Sequence, residues 1–140
     1  MSRLKDVTNL MIDMYKIKEI GYDFMGYRFS SEKTLSFHHL IVPKKRGGKE
    51  EIANGAILVR NTSHDYLHLI ERLDKKYFRY ITNEMILENK KGSIDIENIK
   101  RIDEILLEFE EKHSDDVLKC GHYAIKDVYT RRLLRENNLR

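Results

Sequence analysis

The sequence predicts an α+β fold in a single domain, residues 1–140, and three observations carry that expectation. Apolar residues recur at helical spacing near the N-terminus and again over 94–112. Two short runs of β character, 34–42 and 55–60, lie between them. No Pro-, Gly- or Ser-rich linker divides the chain, and there are no repeats. A chain of 140 residues is long enough to bury a core without covalent staples.

The elements follow in order. Leu4, Val7, Leu10, Met11, Met14 and Tyr15 mark one face of a helix over 3–19. Gly21 and Gly26 interrupt that pattern, and GYDFMGYRF (21–29) reads as an irregular, aromatic packing segment. TLSFHHLIV (34–42) is extended, and Pro43 ends it by removing a donor and restricting its neighbour. KKRGGKEE is a loop hinged at Gly47-Gly48, and GAILVR (55–60) is the second strand. Thr62 or Ser63 can cap the helix that follows, Asp65 suits its first turn, and Tyr66, Leu67, Ile70 and Leu73 form its apolar face. YFRYITNEMILEN is helical, Gly92 and Ser93 punctuate, and Ile96, Ile99, Ile102, Leu106 and Phe109 line a long amphipathic helix. A basic helical tail, YAIKDVYTRRLLRENN, closes the chain. A hairpin-and-helix unit at 34–73 is thus wrapped by mostly helical segments, 1–33 and 74–140.

Composition narrows the function classes. A single cysteine, Cys120, excludes an intramolecular disulfide and a cysteine-based zinc ribbon, and suits a packing role. The N-terminal segment mixes charges into its apolar residues, so no signal peptide is expected, and no run reaches membrane-spanning length. The expectation is a soluble, cytoplasmic protein with no membrane partner. The net charge of +3 is unevenly spread. Residues 33–80 hold ten Lys and Arg against five Asp and Glu, whereas 81–125 hold six against eleven. The basic block raises the local concentration of polyanions such as nucleic acid. The acidic helix 94–112 offers a surface for a protein partner. RGGKEE lacks P-loop spacing, His113 suits a helix C-terminus, and Tyr66, Tyr77, Phe78 and Tyr80 are expected in the core.

Four of the six histidines fall between 38 and 68. His64 and His68 are four apart on a helix, so both rings project from one face and can share a cation. A third ligand must come from elsewhere, and the preceding hairpin supplies the adjacent pair His38 and His39. Neighbours on a strand point to opposite sides. One of the two can therefore face the metal, while the other stays free for proton transfer near neutral pH.

The stretch LSFHHLIVPKKRGG…NGAILV…SHDYLH resembles the HNH, or ββα-metal, endonuclease motif over residues 35–72, about a quarter of the chain. The resemblance implies a ββα-metal core and assigns roles position by position. His38, His64 and His68 hold one divalent metal, His39 is the general base, and Asn54 fixes the backbone around that base. Asn61 is a rival that lies too near the helix start. Lys44, Lys45, Arg46 and Lys49 would hold neighbouring phosphates. The implied reaction is hydrolysis of a phosphodiester in DNA, less readily RNA, leaving 5′-phosphate and 3′-hydroxyl ends, with the metal as Lewis acid. Three imidazoles favour Zn, Ni, Mn or Co over Mg. The alternative is a non-catalytic, metal-stabilised nucleic-acid-binding or regulatory protein. Two departures stand out: Val42 adds a residue before Pro43, and the CxxC pairs that brace many relatives are missing.

Overall fold

The computed structural model describes residues 3–29, 31–41, 46–47, 51–60 and 62–115. The predicted tail, Cys120, Asn61, Val42, Pro43, Lys44, Lys45 and Lys49 lie outside them. The described residues mix helix with one two-stranded antiparallel sheet, an α+β arrangement. Strands β1 (Leu35–His39) and β2 (Gly55–Val59) pair in register from Leu35 opposite Val59 to His39 opposite Gly55. The extended segment is therefore shorter than 34–42. Helix α3 (Ser63–Leu73) follows directly and packs on β2, and α4 (Lys75–Lys91) and α5 (Ile96–Lys112) complete a helical layer. Among the described residues, no helix is long and apolar enough to cross a membrane.

The N-terminal helix expected over 3–19 is in fact two. α1 (Arg3–Met14) ends at a left-handed residue, Lys16 (φ 56°), and α2 (Ile17–Ile20) is closed by Gly21 (φ 81°). The reason lies in burial. Tyr15 and Ile17 are both buried, yet two positions apart on a straight helix they would face nearly opposite ways. The break at Lys16 turns both into the core, where Tyr15 meets Phe24 with ring centroids 4.8 Å apart.

The core joins Met11, Ile12, Tyr15 and Phe24 to the hairpin and to Leu67, Ile70, Ile81, Met85, Leu106 and Phe109 from the later helices. All five residues of β2 are buried, because α1, α3 and α4 pack against it. This explains why GAILV reads as a continuous apolar run rather than an alternation. Gly55 is required for close approach: a Cβ there would meet the Phe37 ring at 2.2 Å. Of the aromatic residues expected in the core, Tyr66 and Tyr77 are buried and Phe78 is half-buried. Tyr80 is instead 45% exposed, at the edge of the α4 face that buries Tyr77, Ile81 and Met85. His113 does cap the C-terminus of α5. It stacks on Phe109 and bonds Asp74, the residue whose carboxylate caps α4.

Asp23 is the polar centre of the fold. Fully buried, it accepts hydrogen bonds from the backbone N–H groups of Met25, Tyr27 and Val59 and from the Ser63 hydroxyl, at 2.5–2.9 Å. It thereby ties the irregular segment 21–29 to the end of β2 and the first turn of α3. Ser63 also accepts from Val59 N–H at 3.0 Å. Its hydroxyl is thus spent on this junction rather than on capping. Thr62 holds the cap position without a side-chain capping bond.

Glu88 on α4 is the opposite case. It is fully buried, and among the described residues neither carboxyl oxygen meets a hydrogen-bond partner. Burial, reinforced by the negative charges of Asp23, Glu84 and Asp95, pushes its carboxyl well above the usual range, so the neutral acid is favoured in the folded chain. A carboxyl raised on folding contributes stability at low pH that is lost as pH rises above its unfolded value near 4.5. Glu88→Gln removes that loss. Its melting temperature should exceed that of the parent protein by more at pH 8 than at pH 5. Equal differences at the two pH values would contradict the assignment.

Candidate metal centre

β1 and α3 build the site together. Residues 36 and 38 project from the same face of β1, as strand geometry requires, and that face looks onto α3. There His64 and His68 stand one turn apart. The three rings of His38, His64 and His68 converge, with centroid separations of 5.0–5.5 Å. One ligand nitrogen from each lies within 4.8 Å of the others, close enough to hold a metal ion. His38 Nδ1 and His64 Nε2 are 3.3 Å apart. Two imidazole nitrogens bound to one tetrahedral zinc at about 2.0–2.1 Å would themselves be separated by roughly 3.3 Å. That pair is therefore already spaced for a shared cation, and a nitrogen of His68 lies within 4.8 Å.

The electrostatics favour the same use. Burial, with His64, His68 and His39 adding repulsion, pulls the His38 imidazole down to about 3. Burial, then His68, lowers His64 to about 4, against a small opposing effect of Asp65. Both rings are thus neutral at pH 7, the form that binds metal. His38 Nε2, on the other side of the ring from the atom that faces His64, is buried and meets no hydrogen-bond partner among the described residues. Burial grades from His38 through half-buried His64 to His68, whose side chain is 55% exposed. The cluster therefore opens to solvent on the His68 side.

The remaining candidates fall as follows. His39 ends β1, on the face opposite His38, where it meets Phe37 edge-on at 5.0 Å. It is near enough for its charge to depress both His38 and His64. Asn54 is buried and stands opposite the strand's exit. Its side-chain oxygen accepts from Ile41 N–H and its carbonyl from Leu40 N–H, both at 2.9 Å. It fixes the two residues that follow His39. Arg46 is exposed in the long hairpin loop. Asn89 of α4 braces the far side of that loop, donating to the Ile52 and Gly55 carbonyls at 2.6 and 2.7 Å.

Three residues around the site escaped the sequence reading. Ser36 touches His64, and alternation along β1 does place it with His38. Glu71 approaches His68 Nδ1 at 3.5 Å, one helical turn on. Asp23 sets the start of α3, and no local sequence signal marks it. No family model, no curated protein and no solved structure matches the chain.

Proposed function

We propose that the chain is a metal-dependent endonuclease of the ββα-metal type, cleaving phosphodiesters in DNA and less readily in RNA. The observation that carries the reading is the meeting of His38, His64 and His68 at one point, with a fourth histidine, His39, beside them and turned away. A purely structural site has no need of a separate base. It also usually takes four protein ligands, whereas three converge here among the described residues.

In this reading each residue has one task. His38, His64 and His68 hold the ion, which as a Lewis acid supplies charge stabilisation at the phosphoryl oxygens. His39 accepts the proton of the attacking water. Asn54, through Ile41 and Leu40, keeps the chain leaving His39 in one conformation. Arg46 would meet a flanking phosphate, a role the sequence resemblance extends to Lys44, Lys45 and Lys49, which lie outside the described residues. The three imidazoles suit Zn, Ni or Mn better than Mg.

The test is a supercoiled plasmid incubated with protein loaded in turn with Mg²⁺, Mn²⁺, Ni²⁺ and Zn²⁺, alongside single-stranded DNA and RNA. Nicking that chelator abolishes is the expected result. Metal uptake without cleavage of any of these substrates would replace the enzyme with a metal-stabilised binding module.

A further inference from the structure

We infer that Ser36 is a positioning residue of the metal centre, which sets the tautomer and aim of His64. The inference rests on the metal-site reading above and deepens it. Ser36 Oγ lies 2.7 Å from His64 Nδ1 and 3.1 Å from the Leu58 carbonyl oxygen, directly across the hairpin. A hydroxyl has one proton to give. The Leu58 carbonyl can only accept, so that proton goes to it. Ser36 Oγ must then accept from His64, and His64 carries its proton on Nδ1. The bare nitrogen is Nε2, the atom that faces His38 Nδ1 at 3.3 Å.

This matters because a free imidazole side chain favours the proton on Nε2, which would turn a donor rather than a lone pair toward the ion. Ser36 reverses that preference with a short bond from the neighbouring strand, and it fixes the ring plane as well. Groups that orient a metal ligand through its second nitrogen commonly act in this way. The Glu71 contact with His68 has the same form but is weaker. It sits at 3.5 Å between two exposed side chains, where water competes. Of the two helix-borne ligands, His64 is thus the preset one and His68 the one that adjusts.

The experiment compares the intact protein with Ser36→Ala and Ser36→Thr, in which threonine keeps the hydroxyl on a residue suited to a strand. Zinc affinity is measured by competition with a chromophoric chelator. The His64 tautomer is read from imidazole ¹⁵N shifts in metal-free protein at pH 7. Parent protein should show His64 protonated on Nδ1. Ser36→Ala should bind zinc about 10–100-fold more weakly and lose that signature, and Ser36→Thr should restore both. His64 protonated on Nε2 in the parent protein overturns the inference, and so does equal zinc affinity in parent and Ser36→Ala. Those results leave the metal site standing. A parent protein that takes up no zinc overturns the metal site and this inference with it.

Discussion

For the proposed nuclease, substituting alanine for His39 is expected to slow phosphodiester cleavage on the order of 10²–10⁴-fold, the usual cost of losing a general base, while metal uptake at the three-histidine cluster is kept. The expectation follows from the strand. His38 turns toward α3 and its two histidines, whereas His39 turns to the other face beside Phe37. Truncating His39 therefore removes a proton acceptor without removing a ligand. It also relieves the repulsion that His39 exerts on His38 and His64, so metal affinity should not fall. The check is plasmid nicking and metal content measured on the same preparations. Cleavage as fast as that of the parent protein would assign the base elsewhere. Loss of metal together with activity would make His39 a ligand.

The largest effect on stability is expected at Asp23. Asp23→Ala strands the Met25 and Tyr27 N–H groups and the Ser63 hydroxyl in the interior, and leaves Val59 N–H with Ser63 Oγ alone. A buried donor left without an acceptor costs about 1–3 kcal/mol. The sum is on the order of 4 kcal/mol or more, much of the about 5–15 kcal/mol that holds a typical domain folded. Because Val59 and Ser63 bracket the junction of β2 with α3, the loss should also loosen His64 and His68. Urea melts would measure it, and a loss below about 1 kcal/mol would show that water or a rearranged loop meets those donors.

Asp23 also shapes the pH dependence. Burial pushes its carboxyl up to about 6, against the four donors that favour the ionised form. Its contribution to stability is therefore present at low pH and lost as pH rises from about 4 to about 6. His38 and His64 act with the opposite sign. Their imidazoles are pulled down on folding, so their contribution is present above about 6.5 and lost as pH falls toward 4. Glu88, raised on folding like Asp23, acts with it, so two carboxyls oppose two imidazoles and the metal-free protein should show a flatter stability profile between pH 4 and 6.5 than either kind of group would give alone.

The parts of this arrangement that could be read in advance are those fixed by local periodicity. The four-residue spacing of His64 and His68 is a helical fact, and alternation along LSFHH separates His38 from His39. Gly92 and the Ile96–Phe109 repeat marked the later helices for the same reason. What could not be read depends on distant partners. Asp23 gains its meaning from Val59 and Ser63, 36 and 40 positions away. The left-handed turn at Lys16 exists because Tyr15 and Ile17 must both reach one core, and Tyr80 is exposed because the inward face of α4 is centred on Ile81 and Met85, which leaves Tyr80 at its edge. Ser36 was within reach, since it shares a strand face with His38, yet a serine announces a role only when the ring beside it is known.

Metal content is the direct measure of whether His38, His64 and His68 share one divalent ion. Protein equilibrated with zinc, passed through a desalting column and analysed by elemental mass spectrometry should carry about one ion per chain, as a single three-histidine site requires. His68→Ala, which removes the most exposed of the three rings and so disturbs folding least, should carry almost none while keeping its cooperative melt. Full occupancy in both His64→Ala and His68→Ala would contradict the account.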